Sequence, residues 1–277
     1  MTTLFLLVLA IGIAPLATGL ARLKPSAERL RLSAGSVLLC ALAFNLTFFW
    51  QELWLVIPKA LTPGLHPVLY HNDHDWTGEA PIAELLQGTG AIATLFSGLA
   101  FAAALVLAKR APAAWRLFLF WMAFQGLFQS LTQAAVGTLL PGNDVGRALA
   151  YLHFGDAAKI ALLAAAVGAM AGAGAWLARA YPAGGSTRAV GYGIVLTAMI
   201  AVVLIIPFRL PRHIIEVALI PLIVNLVGAG WLVLGLALGR TGGRRLEAQA
   251  PAVLVPALAL GLALVVFQLV LRPGISF

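Results

Sequence analysis

The chain has 277 residues, of which 61% are hydrophobic and only 10% charged, with a mean hydropathy of +0.97. That much apolar surface excludes a soluble globular fold and reads as an integral membrane protein. The net charge of +8 does not point to nucleic acid here, because in a membrane protein the informative quantity is which loops carry the cations.

Taken in chain order at roughly 20 apolar residues per crossing, the sequence gives eight expected spans: 4–21, 35–57, 82–108, 115–139, 157–178, 189–208, 214–239 and 252–271. The expected fold class is all-α, a polytopic helical bundle forming a single transmembrane domain over 1–277. No basic residue precedes the first span, so it is expected to remain as a helix and not to be a cleaved signal peptide. One cysteine, Cys40, leaves no disulfide framework or thiolate cluster within the chain.

Lysines and arginines alternate between connections. Twelve of the eighteen fall in the odd-to-even loops, at Arg22, Lys24, Arg29, Arg31, Lys109, Arg110, Arg116, Arg179, Arg188, Arg240, Arg244 and Arg245. By the positive-inside rule both termini and the polar loop 59–81 are then expected on the outer face, the periplasmic side of a bacterial inner membrane.

The remaining polar residues sort sharply against this frame. All five histidines, His66, His71, His74, His153 and His213, fall on or beside the outer face, as do eight of the ten acids. The densest stretch is YHNDHDW, Tyr70 to Trp76. Three pairs are spaced by three: His71 with His74, His153 with Asp156, and His213 with Glu216. Such pairs share a face if the backbone is helical, and imidazole with carboxylate suits zinc, iron, manganese or copper(II). The expected ligands of one divalent transition metal are therefore His71, His74, His153, Asp156, His213 and Glu216. Copper(I) fits poorly, with four methionines and one cysteine in the chain.

Within the spans, Glu52 is the acid placed one to two turns below the outer end and under the histidine-rich loop, and ionisable groups in hydrocarbon are functional candidates. Asn45, Glu52 and Lys59 share a stripe at intervals of seven. Glu84 and Gln87 share a face, and Gln125, Gln129 and Gln133 recur every four residues. Glu52 and Asp75 are the expected catalytic acids or bases, accepting a proton from a metal-bound water. The loop 59–81 admits two readings, a folded-back cap over the bundle mouth or an ordinary solvent loop.

H-E-x-x-H, G-x-S-x-G and G-x-x-x-x-G-K-[ST] are all absent from the sequence. What remains is a membrane metal-binding protein, in the first instance a metal-dependent hydrolase or oxidoreductase acting on a lipid or another membrane-accessible substrate. The expected partners are the lipid bilayer and, in a second reading, further membrane or periplasmic subunits of a complex that the chain assembles or to which it hands a metal. A third reading is a proton-coupled transporter using the polar seam.

Overall fold

The structure is a computed structural model, and it describes residues 6, 9–28, 30, 32–182, 185–210, 214–239 and 252–277. Helices dominate: α1 (Ala14–Arg22), α2 (Ala34–Ala60), the short α3 (Ile82–Leu86), α4 (Thr89–Leu107), α5 (Ala113–Gly137), the short α6 (Asp144–Tyr151), α7 (Asp156–Ala180), α8 (Thr187–Arg209), α9 (Ile220–Leu238) and α10 (Leu254–Val266). Wider π-type turns at Leu9–Ile13, Ile215–Leu219 and Phe267–Leu271 adjoin α1, α9 and α10.

Six helical segments are long and apolar enough to cross a membrane: Ala34–Ala60, Ile82–Leu107, Asp156–Ala180, Thr187–Arg209, Ile215–Leu238 and Leu254–Leu271. The protein is thus built as a membrane-embedded helical bundle. α5 has the length, 25 residues, but is not among the six, since its glutamines, Ser130 and Thr132 lower its hydropathy. It is the enclosed element, packing on α2, α4, α7 and α9, with Phe120, Trp121 and Phe124 wholly buried. Its polar side chains meet protein partners: Trp121 donates to Ser36 Oγ at 3.1 Å and Gln125 to Asn225 Oδ1 at 2.8 Å. The apolar side chains on the outside of the surrounding helices, among them Ile92, Phe96, Ile160, Leu258 and Leu262, are exposed in the manner of a lipid-facing belt.

α4 and α5 approach so closely at Gly98 and Gly126 that a Cβ on Gly98 would lie 2.6 Å from the Leu127 nitrogen. Small residues allow such backbone contact where lipid removes the hydrophobic drive between helices.

The all-α expectation needs one addition. The loop 59–81 contains a β-hairpin, β1 (His66–Leu69) and β2 (His74–Thr77), and β1 also pairs with β3 (Ile275–Ser276) in an antiparallel sheet of order β2-β1-β3. The Phe277 amide closes the sheet on the Pro67 carbonyl at 3.0 Å. The C-terminal residues therefore lie at the same end of the bundle as the hairpin. Of the two readings of the loop, the folded-back cap is the one realised.

Candidate metal centre beneath a hairpin cap

The hairpin takes its orientation from the two-residue period of a strand, which sends successive side chains to opposite faces. On β2, His74 and Trp76 turn toward the bundle while Asp75 and Thr77 are exposed. At the base, Gly78 has φ +95°, and a Cβ there would run into the Gly64 carbonyl oxygen, so only glycine lets the hairpin close. At the tip, the Tyr70 amide donates to the Asp73 carbonyl at 2.9 Å, leaving His71 and Asn72 as the loop.

The tip is anchored by backbone chemistry. The last carbonyls of a helix lack intrahelical donors, and at the end of α8 the hairpin supplies them. His71 Nε2 lies 3.1 Å from the Phe208 carbonyl oxygen, which fixes that ring nitrogen as a donor, and Asn72 Nδ2 donates to the Arg209 carbonyl at 3.4 Å. Gln268 also donates to the Phe208 oxygen, at 2.6 Å.

Beneath this cap lies the group that could hold a metal ion. Glu52, Asp73 and His74 each offer one ligand atom, all within 4.8 Å of one another, and this is the metal-competent cluster among the described residues. Glu52 is buried, 4% exposed. Its Oε2 accepts from His74 Nδ1 at 2.8 Å, and His74 Nε2 lies 3.1 Å from Gln87 Oε1. Asp73 accepts the His74 backbone amide at 2.8 Å. The His74 ring stacks on Trp76 at 5.9 Å and 10°. Burial disfavours a charged imidazole, but the hydrogen bond and charge of Glu52 outweigh it and hold His74 above its usual range. An oxygen faces each ring nitrogen, an arrangement that favours the protonated ring. A metal ion binding here would compete with a proton for the ring.

A second layer of charge encloses the group. Lys59, near the end of α2, donates to the Leu55 carbonyl at 2.9 Å and lies 4.5 Å from the Trp76 ring centroid. Arg147 sits 4.9 Å from the same ring and grips Glu84 bidentately at 2.6 and 2.7 Å. Asp144, at the start of α6, is pushed up to about 6 by its withdrawal from water and then by the negative charge of Glu52. Pro58 shapes the helix end. Having no amide hydrogen, it leaves the Trp54 carbonyl without its helical donor, and Thr89 Oγ1 fills the position at 2.6 Å.

The structure thus brings Glu52 and His74 together, as the sequence expected, and adds Asp73. Four of the other expected ligands, His71, His153, Asp156 and Glu216, stand elsewhere. The i, i+3 spacing of His71 and His74 places two residues on one face only in a helix, and here it spans a hairpin turn, so His71 joins the α8 end. His153 is exposed, with φ +53°, and ends α6 in the left-handed conformation. Asp156 is exposed at the first position of α7, where a negative charge suits the helix N-terminus. Glu216 is exposed on the turn leading to α9. His213 lies outside the described residues. Asp75, expected as a catalytic acid, is on the exposed face of β2 and accepts the Trp76 amide at 2.8 Å.

Comparison with protein-family models, with curated proteins and with solved structures gives no match.

Proposed function

We propose that this is a membrane-embedded, metal-dependent enzyme whose single divalent ion is held by Glu52, Asp73 and His74 under the hairpin. The observation that carries the reading is the convergence of those three ligand atoms within 4.8 Å, with Glu52 buried and Asp73 and His74 half-buried. Two carboxylates and an imidazole favour zinc, manganese or iron(II) over copper(I). When bound, such an ion acts as a Lewis acid and lowers the pKa of coordinated water. The chain's own residues have separate parts. Gln87 orients the His74 ring, Asp144 can take up and return a proton near neutral pH, and the hairpin with Trp76 keeps bulk water off the pocket. The proposed reaction class is hydrolysis of a lipid or another substrate reached at headgroup level.

The reading includes a topology. Adding α5 and the N-terminal helix to the six apolar segments gives eight crossings, with the capped end and both termini on the periplasmic face of a bacterial inner membrane, as the loop cations favour. The test is elemental analysis of protein purified gently in detergent. Wild type should hold close to one equivalent of a transition metal, and Glu52→Gln and His74→Ala should each lower it severalfold. A metal-free wild type that takes up none on reloading would overturn the reading.

One observation favours proton-coupled transport as a second reading. Gln133, half-buried, donates to Gln51, next to Glu52, and deeper in the bundle Gln129 donates to Gln125 and Gln125 to Asn225, a chain of buried amides. Proton flux in proteoliposomes that disappears in Glu52→Gln would favour it. The role of a subunit or assembly factor rests on less: Gly168 and Gly172 of α7 face open space and offer a surface for another helix.

A further inference from the structure

Lys59 is completely enclosed, at 0% exposure, yet it has no counter-ion in contact. Its ammonium has three donors, and one hydrogen bond, to the Leu55 carbonyl, is formed. Trp76 covers it at 4.5 Å. Among the described residues no carboxylate oxygen comes within 4.0 Å of Nζ, the two side-chain ion pairs being Glu52 with His74 and Glu84 with Arg147. Glu52, Glu84 and Asp144 act on it only from greater distance. A buried cation with most of its donors unused is costly. Of the two cations over the Trp76 ring, Arg147 has its fork already filled by Glu84, so Lys59 is the one left for a ligand.

We propose that Lys59 is an anion subsite beside the Glu52, Asp73 and His74 group, and that it takes the phosphate of a phosphate-bearing substrate. As a subsite of a metal centre it rests on the reading above. Depth supports it. α2 has 27 residues, a length of roughly 40 Å, comparable to a bilayer with its headgroups at about 40–45 Å. Lys59 stands one residue before its end, at the level of lipid phosphates. A lysine ammonium is a common point-charge partner for phosphate, and hard phosphoryl oxygens suit the metals this donor set selects.

The test titrates manganese-loaded protein in detergent with dioctanoyl phosphatidic acid, with inorganic phosphate and with dioctanoylglycerol, using wild type, Lys59→Met and Lys59→Arg. Phosphatidic acid should bind wild type, bind Lys59→Met about tenfold or more weakly and largely recover in Lys59→Arg, at unchanged metal content. Binding of phosphatidic acid alone names a lipid as the source. Equal binding of inorganic phosphate names free phosphate, and either result supports the subsite. Undiminished binding to Lys59→Met overturns it, as does dioctanoylglycerol binding as tightly as phosphatidic acid. That wild-type comparison stands even if the variant does not fold. Metal-loaded protein indifferent to phosphate defeats the subsite alone, whereas phosphate binding by protein that takes up no metal defeats the metal reading and leaves Lys59 as an anion site.

Discussion

His71 and His74 lie three residues apart in one hairpin, and the turn between them sends them to different partners. His71 donates to the Phe208 carbonyl at the end of α8, while His74 faces Glu52 at 2.8 Å. A contrast of variants separates the two roles. His74→Ala should lose most bound metal, whereas His71→Gln, which keeps a side-chain donor, should retain metal and shift the melting temperature by at most a few degrees; equal metal loss in both would place His71 among the ligands. Asp144 gives a pH test. Its carboxyl titrates at about 6 in the fold against 3.8 ordinarily, so between those values the folded protein keeps a proton that the unfolded chain releases. Stability contributed by this group falls as pH rises through that window and stays low above it. Asp144→Asn, neutral throughout, should therefore gain melting temperature over wild type at pH 8 and little at pH 4.5. A difference independent of pH would show that the carboxyl is not held up in this way.

At the scale of elements, the long helices were legible in the sequence, and the hairpin and the short α6 were not. Spans such as 35–57 and 115–139 meet Ala34–Ala60 and Ala113–Gly137 closely, because long apolar runs bounded by Ser33, Pro112 and polar loops leave little freedom. The hairpin has four-residue strands and a third strand from the distant residues 275–276, and a contact of that range leaves no local signature. Reading HNDH by helical spacing therefore grouped His71 with His74 and passed over Asp73, whereas strand alternation pairs His74 with Trp76. Asp144 and Arg147 were similarly hidden, since only the fold of α6 against α3 carries them to the site. Glu52 was legible because a lone acid in a greasy helix is conspicuous from composition alone. The hairpin also provides a test that touches no ligand. Gly78→Val forces a Cβ against the Gly64 carbonyl at φ +95°, so it should open the hairpin and reduce metal content severalfold while the helical circular dichroism persists. Full metal retention would mean that the ligands assemble without the closed cap.

For the whole molecule, the capped end is defined by contacts that tie distant segments together: β1 with β3, His71 with the α8 end, and Glu84 with Arg147. Those contacts fix which connections share an end, and the distribution of arginine and lysine then proposes which end faces out. The protein is well suited to a direct test, because its one cysteine, Cys40, is wholly buried. Asp75 and Lys109 are both exposed and belong to connections assigned to opposite faces. In cells with a permeabilised outer membrane, an impermeant maleimide should modify Asp75→Cys at once and Lys109→Cys only after the inner membrane is disrupted, with wild type silent in both. The reverse pattern would put the Glu52, Asp73 and His74 group on the cytoplasmic side, where the proposed substrate would have to be drawn from the inner leaflet. Labelling of both sites in intact inner membranes would instead break the alternation of spans on which the eight-crossing arrangement depends.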